Sequence, residues 1–224
     1  MIAREPLYTS TGEPFQPIRL FYAVSATSNA RQRLKRLRCI QNVSATELVW
    51  LHKREAKELR FAPHGVSPSA GPPTVLGRFR FVTPTELTLQ LRSLPRARAA
   101  AAFFAKILGA DVTLTRLRIV NRFFERNEID KGLQVLEAEL DQNVTSCREP
   151  TMNSATKQLN MTAAFDVPLI EDCPVHPDDD TPDYTFLGYA LNLRMLRAHD
   201  HFVGGKRTLG QIEIDDVRSR MRKT

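Results

Sequence analysis

Apolar positions recur with period two in some stretches of this chain and with period three or four in others, which predicts a mixed α+β protein. Residues 17–24, with Ile18, Leu20, Phe21, Tyr22 and Val24, read as a strand. Ser25 and Ser28 then offer capping chemistry for a helix over 29–40, in which Leu34 and Leu37 lie three apart. Residues 47–61 read as a strand opening into a short helix, and 63–73 as a Gly/Pro/Ser-rich connector. The cleanest strand is 76–82, where Arg78 and Arg80 alternate with Phe79 and Phe81, giving one basic and one apolar face. Thr83-Pro84-Thr85-Glu86 breaks it and is suited to capping the element after it. Residues 96–108, with an alanine run and then Phe103-Phe104, predict a helix ending at Gly109. Residues 112–120 predict another strand, on which Arg116 and Arg118 alternate with apolar residues.

The resulting order, β-α-β-β-α-β, predicts a ferredoxin-like (RRM-like) domain over 1–126, with two helices on one face of a four-stranded sheet. Such sheets often present the free face or a helix to RNA. Residues 127–224 are expected to form a second, degenerate ferredoxin-like half. Its elements are an acidic amphipathic helix over 130–142, a polar loop, a strand over 161–170 and an acidic proline loop over 173–183. A helix over 186–199, a glycine-rich loop and a final strand over 211–214 complete it.

Charge is segregated along this order. Residues 1–126 carry 21 Lys+Arg against 8 Asp+Glu, 127–193 carry 3 against 13, and 194–224 carry 8 against 4. Basic segments of this density attract polyanions; the alternative is a bipolar protein whose two halves face each other. Arginine's planar fork binds phosphate and stacks on bases, so the excess of 24 Arg over 8 Lys favours nucleic acid, although a GC-rich genome produces the same excess. No apolar run approaches the roughly 18 residues needed to span a bilayer, and the first residues lack a signal peptide's apolar core. Cys39, Cys147 and Cys173 form no CxxC pair, so neither a zinc knuckle nor a disulfide framework is expected. The expectation is a cytoplasmic protein without membrane, metal or cofactor.

Arg31, Arg33, Lys35, Arg36 and Arg38 give the first predicted helix a phosphate-binding face. Gly204-Gly205-Lys206-Arg207-Thr208-Leu209-Gly210 is the best-formed motif: adjacent glycines permit an amide nest for an anion, with two cations beside it. A tight turn with exposed basic residues is the alternative. His52 stands beside Lys53 and Arg54, and His199 and His201 flank Asp200. His176-Pro177-Asp178-Asp179-Asp180 reads as a solvated acidic loop rather than a metal site.

A helix, a GGKRxxGQ loop and a final strand together resemble the C-terminal glycine-rich loop of the RAMP superfamily of CRISPR-associated RNA-binding proteins. The run Arg78 to Leu87 is similar to the strand and Thr-Pro-Thr of its repeat-processing endoribonucleases. The resemblance covers these two stretches. It implies guide-RNA binding within a CRISPR ribonucleoprotein complex, with Gly204, Gly205, Lys206, Arg207 and Gly210 on the RNA alongside Arg31, Arg33, Lys35, Arg78, Arg80, Arg116 and Arg118. It further implies metal-independent cleavage of precursor RNA by attack of a 2′-hydroxyl. Many members supply a histidine near the first helix, and this chain has none between Ser25 and Ile40. Arg36 and Arg38, with Tyr22 and His52, stand as the catalytic candidates, and arginine is a poor proton carrier. A non-catalytic backbone or cap subunit is the alternative, and an unrelated basic nucleic-acid-binding protein a third.

Overall fold

Ile18, Leu20, Tyr22 and Val24 alternate with Arg19, Phe21 and Ala23, and this strand sits in the middle of the molecule. The computed structural model describes residues 4–61, 72–143, 165–175 and 184–222. Its strands are β1 (Ile18–Val24), β2 (Ile40–Asn42), β3 (Glu47–Leu51), β4 (Val75–Thr83), β5 (Glu86–Leu91), β6 (Val112–Val120) and β7 (Ile170–Pro174). They form one seven-stranded sheet in the order β2-β3-β4-β5-β1-β6-β7, each neighbouring pair antiparallel. The helices are α1 (Thr27–Arg36), α2 (Leu94–Leu108), α3 (Leu133–Glu137), α4 (Thr185–Phe202) and α5 (Leu209–Met221). The expected α+β class is what the chain adopts.

One face of the sheet is the core. Ile18, Leu20 and Tyr22 of β1, Trp50 of β3, Phe79 of β4 and Leu89 of β5 pack there against Leu34 of α1, Phe104 of α2 and Leu191 of α4. Gly77 of β4 also faces inward, where a Cβ would come within 2.5 Å of Leu91 Cδ2 and 2.9 Å of the Gln90 carbonyl oxygen. A β-bulge sets the phase of β6. Phe21 pairs with Arg116 but Tyr22 pairs with Leu114, so Thr115 is the extra residue, and its hydroxyl donates to the Phe21 carbonyl at 3.1 Å. The bulge keeps Leu114 and Leu117 both in the core while Arg116 and Arg118 stay on the opposite face.

That opposite face carries Arg19, Phe21, Arg78, Arg80, Thr88 and Gln90, in register across β1, β4 and β5. Part of it is covered. Leu136 and Leu140 pack with Phe15, Val120 and Phe124 in a second small core, which fixes the segment around α3 over one end of the sheet.

Several expectations are corrected. The first helix stops at Arg36 rather than continuing to 40, and Ile40 opens β2. Thr83-Pro84-Thr85-Glu86 is a hairpin turn into β5 and caps no helix. The helix expected over 130–142 is broken into 3-10 turns and α3 at Gly132, whose φ is +87°. Residues 165–169 are not strand, and 211–214 lie in α5. The C-terminal half contributes β7 to the same sheet and α4 to the same helical layer; a second four-stranded half is not found among the described residues.

An N-terminal arm is locked under α2 by a buried ion pair. Arg96 and Glu13 are each 1% exposed, and Arg96 Nε donates to Glu13. Thr11 and Ser93 donate to the same carboxylate at 2.6 and 3.1 Å, and Arg96 reaches the Val75 carbonyl at 3.2 Å. Burial alone would raise the Glu13 pKa, but the Arg96 charge and the hydroxyl donors hold it below the usual carboxylate range. Removing one partner leaves a buried charge, so Arg96→Ala is expected to lose about 3–5 kcal/mol of unfolding free energy in urea titrations. Because the folded-state pKa is depressed, the Glu13 contribution is present above the unfolded value of about 4.3 and is lost as pH falls through the folded value.

Candidate nucleic-acid interface

Arginines on the helix α1 have two different fates. Arg33 donates to the Leu108 carbonyl and pairs with Asp111 at 3.2 Å, and Arg31 lies over the Phe81 ring at 5.6 Å while donating to the Ser44 carbonyl at 3.1 Å. Both side chains tie α1 to its surroundings. Lys35, Arg36 and Arg38 are exposed, and their side chains have no carboxylate partner among the described residues.

The chain leaves the helix at Leu37, in extended conformation, and meets the 3-10 turn Arg54–Ala56. Glu55 makes this junction by accepting from the Arg38 and Cys39 amides at 3.1 and 2.9 Å. Burial would raise the Glu55 pKa, but the amide bonds outweigh it and hold the carboxylate charged. Its neighbours Arg54 and Lys57 are exposed and unpaired among the described residues. Arg54 holds a φ of +52°, uncommon for a residue with a Cβ. Residues 31–60 carry nine Lys/Arg against three Asp/Glu. Glu47 faces Arg78 at 2.9 Å and Glu55 faces amides, so Glu58 is the carboxylate left uncommitted in this corner.

The sheet face is differently balanced. Arg116 and Arg118 both pair with Asp172 of β7, at 3.1 and 2.8 Å, and Arg118 holds the Asp172 pKa down. Arg19 pairs with Asp141 at 2.8 Å and Arg92 with Glu137 at 2.5 Å. The acidic segment therefore folds onto the basic sheet, as expected of a bipolar protein. Arg80 is exposed on this face with no partner among the described residues, and Arg78 stays 52% exposed beyond its bond to Glu47. Phe21, the aromatic of the central strand, has the Arg116 guanidinium 3.5 Å from its centroid and offers no open stacking surface.

The glycine loop already holds an anion from its own chain. Gly204 (φ +91°) and Gly205 end α4 in a Schellman motif, donating to the His201 and Asp200 carbonyls at 3.1 and 2.8 Å. The Asp200 carboxylate accepts from the Arg207 amide at 3.0 Å and from Arg207 Nε at 2.8 Å. Burial would raise the Asp200 pKa, yet these Arg207 bonds hold it below the usual range. A Cβ on Gly205 would overlap that carboxylate. Arg207 also pairs with Asp215 at 3.0 Å, and Gly210 lies within α5, its amide bound to the Phe165 carbonyl at 3.0 Å. Of the expected RNA contacts here, Lys206 alone is left exposed and unpaired among the described residues. The strand expected after the loop is a helix because Thr208 and Gln211 form a capping box.

Tyr22 is 4% exposed in the core, and burial pushes its hydroxyl pKa up. His52 turns against Phe61, ring centroids 5.7 Å apart, and burial lowers its pKa. His201 Nε2 bonds the Arg207 carbonyl at 2.9 Å and His199 packs edge-on against Phe123. The candidates Arg36 and Arg38 thus stand together at the surface, apart from Tyr22. Residues 176–180 lie outside the described residues. Among the described residues no His/Cys/Asp/Glu group is arranged to hold a metal ion, and no helix is long and apolar enough to cross a membrane. No family model, no curated protein and no solved structure matches this chain.

Asp200 organises the loop, so Asp200→Ala is expected to lower stability by about 1 kcal/mol, the net worth of charged hydrogen bonds to the half-exposed Arg207. Thermal denaturation checks this, and a Lys206→Ala variant is expected to unfold as the parent does.

Proposed function

We propose that this chain is an RNA-binding protein that holds its RNA by the basic corner where α1 meets the 3-10 turn after β3. The observation that carries this reading is the contrast in pairing. Across the sheet face and the glycine loop most arginines face a carboxylate, whereas Lys35, Arg36, Arg38, Arg54 and Lys57 face solvent. Unpaired cations gathered on one surface bind phosphates and release counterions; paired ones must first break an internal contact.

Within this reading, the narrower one is a non-catalytic guide-RNA-binding subunit of a CRISPR ribonucleoprotein, of the RAMP kind. The strand order β4-β5-β1-β6, with α1 and α2 as connections, supports reading this part as a ferredoxin-like unit. The hairpin β2-β3 enters between α1 and β4 and extends the sheet. The glycine loop does not support the resemblance, since a helix comes after it and Asp200 fills it. The catalytic version, a metal-independent endoribonuclease, keeps Arg36 and Arg38 at the surface. Cleavage needs a proton carrier beside them, and Tyr22 is in the core while His52 is turned to Phe61. We therefore favour holding over cutting.

Fluorescence anisotropy with labelled stem-loop and single-stranded RNA in EDTA, over a salt series, tests the reading. Binding is expected to weaken steeply with salt, and Arg36→Ala with Arg38→Ala is expected to reduce the log–log slope by about 1.4, near 0.7 per phosphate contact. Equal binding by parent and double variant would remove the corner from the interface. Cleavage at one position, lost in the variant, would restore the endoribonuclease.

A further inference from the structure

The basic corner is assembled from two stretches of chain that the hairpin β2-β3 separates. One is the end of α1 and the residues after it, with Lys35, Arg36 and Arg38; the other is the 3-10 turn Arg54–Ala56, with Arg54 and Lys57. Each stretch is anchored inward, by Leu34 and by Ala56, both fully buried in the main core. The last bond of the hairpin is the Leu51 amide on the Cys39 carbonyl at 2.8 Å. Beyond it, the hydrogen bonds that join the two stretches among the described residues go to Glu55. Its Oε1 accepts from the Arg38 amide at 3.1 Å and its Oε2 from the Cys39 amide at 2.9 Å.

A carboxylate in a phosphate-binding corner ordinarily weakens it, by pairing with a cation or by repelling the ligand. Glu55 pairs with no cation among the described residues, because both of its oxygens are turned to amides. Arg38 is therefore tied down by its backbone while its guanidinium stays free. Arg54, one residue before Glu55, is held at a φ of +52°, a conformation that persists in a residue with a Cβ where the surroundings impose it. The Glu55 charge also lies among these five unpaired cations and offsets their mutual repulsion without occupying any of them. Glu58, three residues on, has the same charge and none of these bonds among the described residues.

We infer that Glu55 is a positioning residue for RNA: it raises the affinity of the corner by joining its two cationic stretches into one surface, so that a single phosphodiester strand meets both. The inference rests on the RNA reading of the corner. Charge alone makes the opposite forecast, that losing Glu55 tightens binding. Cys39 reports the state of the junction. It is fully buried there, and burial together with the Glu55 carboxylate pushes its thiol up to about 12, so it reacts slowly with alkylating reagents while the junction is closed.

Glu55→Gln and Glu58→Gln remove the same charge from the same corner, and fluorescence anisotropy with labelled stem-loop RNA in EDTA compares them. At position 55 the glutamine side chain keeps one acceptor oxygen and turns a donor toward the other backbone amide. Glu58→Gln is expected to bind up to about twofold more tightly, through the field alone. Glu55→Gln is expected to bind about fivefold more weakly, the worth of one net hydrogen bond, and Glu55→Ala to go further in the same direction. Alkylation of Cys39, followed on its peptide by mass spectrometry, is expected to quicken in both Glu55 variants and to keep the parent's rate in Glu58→Gln. Equal or tighter binding by Glu55→Gln overturns the inference, and so does weaker binding with Cys39 alkylated at the parent's rate. The Arg36/Arg38→Ala double variant separates this from the RNA reading. If it binds as the parent does, or if the parent binds no RNA, the reading of the corner falls and the inference with it. If it loses affinity while Glu55→Gln does not, the reading stands and the inference alone falls.

Discussion

The strand β1 is hydrogen-bonded on both sides, to β5 and to β6, and its alternation governs the rest of the molecule. Sliding its register by one residue would put Arg19 in the core and Leu20 in solvent, reversing every side chain on the strand. With Ile18, Leu20 and Tyr22 held inward, the partners are forced into the same division. Leu87, Leu89 and Leu91 of β5 turn in, and Thr88 and Gln90 turn out. The bulge at Thr115 shows how strictly the division is kept. Val112, Leu114, Leu117 and Ile119 of β6 belong to the main core and two residues must stay out as arginines, so unbroken alternation would send Leu114 to the wrong face.

Once the sheet has an outer face of arginines, each guanidinium needs acceptors or water. The segment from Glu125 to Asp141 and the strand β7 provide them. Asp172 serves two arginines, Glu139 and Glu128 clasp Arg122, and Asp141 and Glu137 hold Arg19 and Arg92. Among the described residues, the acidic middle of the chain thus serves as an internal counterion for the sheet. Besides Arg80 on the sheet and Lys206 in the glycine loop, unpaired cations gather at the corner of α1, where Glu55 is turned to backbone amides and neutralises no side chain among the described residues. The functional reading comes from this remainder.

Much of the fold is legible in the sequence. The strands β1, β4 and β6 and the helices α2 and α4 stand where period and capping put them, because each has a long unambiguous apolar pattern. The strand β5 is harder to see, although Leu87, Leu89 and Leu91 alternate with Thr88 and Gln90, because Thr83-Pro84-Thr85-Glu86 resembles both a hairpin turn and a helix start. The helix α5 looks like a strand from the alternation of Ile212 and Ile214; the competing signal is Thr208 with Gln211 three residues later. Basic residues along α1 are legible as a group, but their division into tethered and free is not. That division depends on Asp111, Ser44 and Phe81, which lie outside the helix in sequence. The glycine loop misleads for a related reason. Spacing reveals a nest, but its occupant, Asp200, comes from the helix before it, and nothing in the spacing says that the anion is internal.

The corner and the sheet face differ in how far their cations are already matched by carboxylates. Exposed lysines and arginines attract a phosphate backbone at range, and they do so without regard to sequence. On the sheet face the acceptors of Gln90 and Glu137 have fixed orientation and already receive Arg19 and Arg92. The α3 segment neutralises part of the sheet, so Arg19 and Arg92 meet carboxylates of their own chain there. A sheet left bare would hold any polyanion. With the acidic segment docked, Arg78 and Arg80 keep guanidinium donors toward solvent, while Arg19, Arg92, Arg116 and Arg118 already face carboxylates.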